Sequence, residues 1–142
     1  MKRVIFVLVV LLFCTNSFAN DDKEELFSTP QEVIHEYCDL WSQGDYEKMY
    51  MLLSKTVTLN LSFAEYEKIR ISEQTKIGLP RKCTIKNQLQ NIGNKSLWVV
   101  NITYENTIVG DITSNNWCEK IDKSWRISEG GLTNGILKNP FF

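Results

Sequence analysis

The chain has 142 residues, with 16 basic side chains against 17 acidic ones, one histidine and four cysteines. That balance argues against a general nucleic-acid or anionic-membrane binder, which would carry a basic surplus. The length suits one domain, and a single histidine with no C-x-x-C spacing argues against a zinc site, so neither a metal nor a cofactor is expected.

The first segment is an address. Lys2 and Arg3 precede an unbroken apolar run from Val4 to Cys14, and Ser17-Phe18-Ala19 puts small residues at the −3 and −1 positions of a cut after Ala19. This is the layout of a secretory signal peptide over residues 1–19. The run is shorter than the roughly 20 apolar residues a helix needs to cross a bilayer, so no stable span is expected after cleavage. Cys14 raises the alternative of a lipid anchor, but Phe13 stands where lipoprotein processing takes a small residue. The expected location is therefore the periplasm or the exterior. Loss of Lys2 and Arg3 leaves 14 basic residues against 17 acidic ones, a formal charge of −3.

Residues 20–28 read as a flexible leader, 29–131 as the folded domain and 132–142 as a C-terminal tail. Thr29-Pro30-Gln31-Glu32 combines a capping residue, proline at the first helical position and Glu three residues on, a capping box. The spacing predicts a helix to Gln43, stopped by Gly44, with Ile34, Tyr37, Cys38 and Trp41 on its apolar stripe and His35 and Asp39 on the opposite side. Asp45 caps a second helix, Tyr46 to Leu53, with Tyr46, Met49, Tyr50 and Leu53 on one face. Thr56 to Leu61 alternates and reads as a short strand. Ser62-Phe63-Ala64-Glu65 is a second capping box; its helix runs to Ile77 and ends at Gly78, with a thin apolar face of Phe63, Tyr66, Ile69 and Ile77.

Beyond Pro80 the period changes from helical to two. Cys83, Ile85, Asn87 and Leu89 alternate, a turn falls at Asn91–Lys95, and Trp98, Val100, Ile102 and Tyr104 alternate again. A loop near 106–110 leads to a strand ending at Ile121, and Asp122-Lys123 turns the chain into Ser124–Ser128. That turn fixes the pairs Cys118 with Ile127, Glu119 with Arg126 and Lys120 with Trp125, which turns Trp125, Ile127 and Cys118 inward. Helices first and strands after predict α+β architecture.

The stretches "EVIHEYCDLWSQGDYEKMYMLLS" (32–54) and "CEKIDKSWRIS" (118–128), with the order of elements between them, resemble the nuclear transport factor 2-like superfamily, and most closely its small exported bacterial domains without an assigned function. The resemblance implies three N-terminal helices packed on a curved antiparallel sheet, a cone with a pocket at its open end. That superfamily holds isomerases, dehydratases, cyclases and hydrolases as well as binding and assembly domains, so the fold alone does not choose.

Enzymes of this fold need acid–base groups inside the cone. The residues expected inward are apolar or phenolic, and none is a carboxylate or a histidine. Tyr37, Trp41, Tyr50, Trp98, Tyr104 and Trp125 are the candidate ligand-binding set; the same residues also suit a plain hydrophobic core. No catalytic residue is assigned. Cys38 lies on a buried stripe without a basic neighbour there, where a thiol behaves as a small apolar group. Cys83 and Cys118 fall on strands with another between them, too far apart to bridge. Either three thiols or one pair that includes Cys38 is expected.

The reading is an exported, non-enzymatic domain that binds a small ligand or a partner protein of the cell envelope. The alternatives are a small lyase, isomerase or hydrolase using Tyr50 or Tyr104, and an assembly module dimerising through an outer sheet face that carries Val99, Val109 and Trp117.

Overall fold

The computed structural model describes residues 26–105 and 109–130. The expected signal peptide, the start of the leader, the tail 132–142 and the middle of the 106–110 loop lie outside the described residues. Four helical segments, α1 (Pro30–Gln43), α2 (Tyr46–Met51), α3 (Lys55–Thr58) and α4 (Phe63–Ile77), precede four strands, β1 (Pro80–Ile92), β2 (Lys95–Tyr104), β3 (Asp111–Ile121) and β4 (Ser124–Gly130). The strands form one antiparallel meander in the order β1-β2-β3-β4.

Both capping boxes form. Thr29 and Glu32 close the start of α1, Ser62 and Glu65 the start of α4, and Gly44 ends α1 in the left-handed conformation at φ 71°. The predicted register of the last hairpin is the observed one, with Cys118 opposite Ile127, Glu119 opposite Arg126 and Lys120 opposite Trp125. Arg126 nevertheless turns its guanidinium to Ser124 Oγ and the Trp125 carbonyl, and lies over the Phe27 ring.

Three expectations are corrected. The described residues form four helical segments rather than three, because 56–61 is not a strand. Strand alternation would bury Val57, Leu59 and Leu61 together. The chain instead makes the turn α3, which half-buries Val57 and Leu61, one helical turn apart, and leaves Leu59 83% exposed. The second helix stops at Met51, and Leu52–Ser54 runs along the free edge of β4: Ile127 N–H donates to the Leu52 carbonyl and Ser54 N–H to the Ile127 carbonyl. Finally, β1 does not keep one period. Register shifts leave Arg81, Lys86 and Leu89 without partners on β2, and each such bulge moves the following side chains to the other face. Cys83 and Ile85 thus pack toward the core, while Asn87 and Leu89 are exposed.

The packed structure also begins before the first capping box. Phe27 is buried, its N–H donates to Ser124 Oγ, and its carbonyl accepts from Trp125 N–H. Together, Phe27 and Leu52–Ser54 satisfy the edge of β4 that would otherwise stand open. At the other side, a disulfide joins Cys38 of α1 to Cys83 of β1, with Cα atoms 6.0 Å apart. So α1 is held against the sheet at both flanks, by burial near β4 and by a covalent bond at β1. The sheet's inner face supplies Trp98, Val100, Ile102, Tyr104, Ile112, Cys118 and Ile127 to the core.

Candidate functional site

The apolar stripe of α1 puts Tyr37 and Trp41 under α4, and the last residue of β2, Tyr104, meets them from the sheet. The Trp41 ring stands edge-on to Tyr37 at 6.1 Å and to Tyr104 at 5.9 Å. Tyr50 of α2 is half-buried; it joins through the Tyr66 ring at 5.5 Å and donates its hydroxyl to the Leu61 carbonyl. Four of the six candidate residues therefore converge. Trp98 is buried on the inner sheet face, and Trp125 is half-buried against the core near Phe27. His35 and Asp39 are exposed.

At the centre of this convergence stands what apolar periodicity missed. The buried face of α4 is Tyr66, Arg70, Glu73 and Ile77, a perfectly regular helical stripe carrying two charges. Arg70 is 0% and Glu73 2% exposed. Arg70 Nη1 donates to Glu73 Oε2 at 2.7 Å. The guanidinium lies 4.7 Å over the Trp41 ring, 5.2 Å over Tyr66 and 5.9 Å over Tyr37, positions that attract a cation to the negative faces of the rings. Tyr66 hydrogen-bonds both Arg70 and the Tyr37 hydroxyl. The legible signal was an Arg and a Glu three apart on the Tyr66–Ile77 stripe, a pair of opposite charges that can neutralise each other when buried.

The electrostatics follow from burial. Desolvation pushes the Tyr37 phenol well above its usual range, with Arg70 opposing and Tyr66 adding to the rise. Tyr46, Tyr66 and Tyr104 are raised for the same first reason. Burial alone would weaken the charge on Arg70, but Tyr37, Tyr66 and Glu73 face it and push its pKa upward. At neutral pH the site is thus a set of neutral phenols round a closed ion pair. It can donate hydrogen bonds; its phenols are not bases.

Two predictions arise here. The Tyr104 hydroxyl is buried with no hydrogen-bond partner among the described residues, and an unsatisfied buried hydroxyl costs roughly 1–3 kcal/mol. Tyr104→Phe should then be as stable as the parent or gain about 1 kcal/mol in urea unfolding; a clear loss would mean that something outside the described residues accepts from this hydroxyl. The second concerns pH. Up to the ordinary phenol pKa of 10.0 both states keep these protons. Above it the unfolded chain releases them first, so stability falls as pH rises toward the raised native values. Thermal unfolding from about pH 8 to about pH 11 should show that decline, and Tyr104→Phe should reduce its slope. A flat profile would contradict the buried phenols.

Cys118 is the free thiol among the described residues; burial pushes it up to about 12, and it is fully enclosed. Among the described residues no group of three or more His, Cys, Asp or Glu side chains is placed to hold a metal ion, and no helix is long and apolar enough to cross a membrane.

No protein-family model matches the chain, and no curated protein matches it. Solved structures do. A SEC-C motif containing protein from Rhodopseudomonas palustris superposes with a TM-score of 0.60 at 7% identity, over 75% of this chain and 80% of that one. A Campylobacter jejuni protein described as an NTF2-like transpeptidase superposes with a TM-score of 0.54 at 13% identity, over 72% of this chain and 99% of that one. The fold is NTF2-like: a four-stranded antiparallel sheet with the helices packed on it. At these identities the likeness extends to the fold alone.

Proposed function

We propose that this chain is an exported, non-catalytic domain, akin to the small exported bacterial members of the NTF2-like fold, that binds a partner protein in the cell envelope. One observation carries the reading. The interior, where enzymes of this fold place acid–base groups, holds the Glu73 carboxylate, already neutralised by Arg70, whose guanidinium lies over the Tyr37, Trp41 and Tyr66 rings. A side chain so enclosed serves packing, and recognition then falls to the surface. Secretion fits the N-terminal layout, and a disulfide fits an oxidising compartment. The transpeptidase named for the Campylobacter protein is not carried over, since a likeness at 13% identity extends to the fold alone.

One observation favours a second reading, a small lyase, isomerase or hydrolase. The neutral Tyr104 hydroxyl lacks a partner among the described residues and lies in the field of Glu73, as a donor awaiting a substrate oxygen would. Native mass spectrometry of the chain from its own host separates the two. The binding reading expects a protein-sized adduct that survives Tyr104→Phe. A small-molecule adduct lost in Tyr104→Phe would overturn it in favour of the enzyme.

A further inference from the structure

The Cys38–Cys83 bond has one closed end and one half-open end. Cys38 is 5% exposed and sits on the α1 stripe with Ile34, Tyr37 and Trp41, which are buried too. Cys83 is half-buried on β1, which has β2 on one side only. Arg81 and Lys82 before it are exposed, and a register shift at Arg81 interrupts the ladder there. Access to the bond from solvent therefore lies on the β1 side. No other thiol of the described residues reaches it. Cys118 stands opposite Ser96 of β2, whereas Cys83 stands opposite Ile102. Six residues of strand separate those two positions, about 20 Å. Exchange at this bond takes its thiol from elsewhere.

We propose that Cys83 is the entry point of a low-molecular-weight thiol, which opens the bond from the edge of the sheet and forms a mixed disulfide at this residue. Thiol–disulfide exchange is attack by a thiolate on one of two sulfurs, and access helps decide which. Attack on Cys38 would have to come from within the buried stripe of α1; attack on Cys83 comes from the open side of β1. In the first step the thiolate bonds to Cys83 Sγ, the Cys38–Cys83 bond breaks, and Cys38 Sγ leaves with the electron pair and takes a proton from solvent. In the second step another thiolate attacks the sulfur of the bound thiol. The products are the small-molecule disulfide and the Cys83 thiol, so two electrons have passed from two thiols to the protein bond. The freed Cys38 competes with that second step. It lies beside the mixed disulfide, and its attack on Cys83 Sγ expels the small thiol and restores the bond. How often α1 is untied from β1 therefore depends on the concentration of the thiol. The site is a redox-addressed catch on the flank of the sheet, and it is independent of what the domain binds elsewhere. A small thiol suits it better than a protein thiol, because a half-buried sulfur leaves little room for a second chain.

Reduced glutathione, added to the folded and oxidised chain purified from its own host, tests this. Aliquots are quenched in acid, which protonates the thiolates and stops exchange, and the adduct is located by peptide mass. Cys83 should carry about tenfold more glutathione than Cys38, or a larger excess. The rate should rise in proportion to glutathione and stay unchanged by urea well below the unfolding transition. Cys118, fully enclosed, should remain unmodified throughout, which shows that the chain reacts while folded. Equal adducts on Cys38 and Cys83 overturn the inference, as does the absence of any adduct. So does an adduct that forms only as fast as Cys118 is modified, at a rate set by urea rather than by glutathione.

Discussion

Arg70→Met should destabilise the fold by roughly 3–5 kcal/mol, the usual cost of stranding one member of a buried ion pair. The volume of the side chain is nearly kept, so a cavity does not explain such a loss. What remains is Glu73, 2% exposed, with its cation gone. The guanidinium also fills the space between the Trp41, Tyr37 and Tyr66 rings, and a thioether keeps part of that contact with aromatic faces. The second half of the prediction is the more informative. The double variant Arg70→Met, Glu73→Leu should recover most of the loss, because a buried pair replaced by apolar groups is often neutral or stabilising. Urea unfolding of the two single variants and the double completes the cycle. Additive losses would mean that the two charges act independently, and that the cluster is more than an internal clamp. Full recovery without change in partner binding fits the proposed surface recognition.

How much of this was legible in the sequence depends on the element. The capping boxes at Thr29 and Ser62 and the stops at Gly44 and Gly78 are local chemistry, set by residues within one turn, and they form as read. The last hairpin is equally local: a two-residue turn fixes the pairs from Ile121–Ser124 out to Cys118–Ile127, beyond which a bulge shifts the register, and Asp122 takes the positive φ of 54° that such a turn asks for. The α3 segment was not legible, since six residues of Thr, Val, Leu and Asn satisfy either period, and only packing decides. Nor were the bulges in β1. A bulge adds a residue without changing composition, so a clean alternation in the sequence conceals it. The site was half legible. Aromatics on predicted apolar stripes converge as geometry requires. Arg70 and Glu73 were missed because a charge is normally an argument for solvent, and their mutual neutralisation becomes visible only once both are placed on the face of Tyr66 and Ile77.

Reduction of the Cys38–Cys83 bond should cost the fold about 2–4 kcal/mol, toward the upper end for a bridge that closes 45 residues of chain. The closed segment contains all of α2, α3 and α4, so the bond restrains an unfolded chain that would otherwise explore a long loop. It also fastens the middle of α1 to the strand whose own pairing is broken by bulges, the flank of the sheet with the least regular hydrogen bonding. Alanine is the proper replacement: Cys38 is buried, and serine would add an unpaired hydroxyl. Cys38→Ala, Cys83→Ala should therefore melt below the oxidised parent and near the reduced one, and reductant should not change its melting further. Thiol counting gives an independent check. Only the thiolate reacts, and burial holds the Cys118 thiol up to about 12, so the folded oxidised chain should give no fast reaction and the unfolded chain one. Three reactive thiols in an unfolded chain of residues 20–142 would remove the bond, and with it the covalent tie that holds α1 over the Arg70–Glu73 pair.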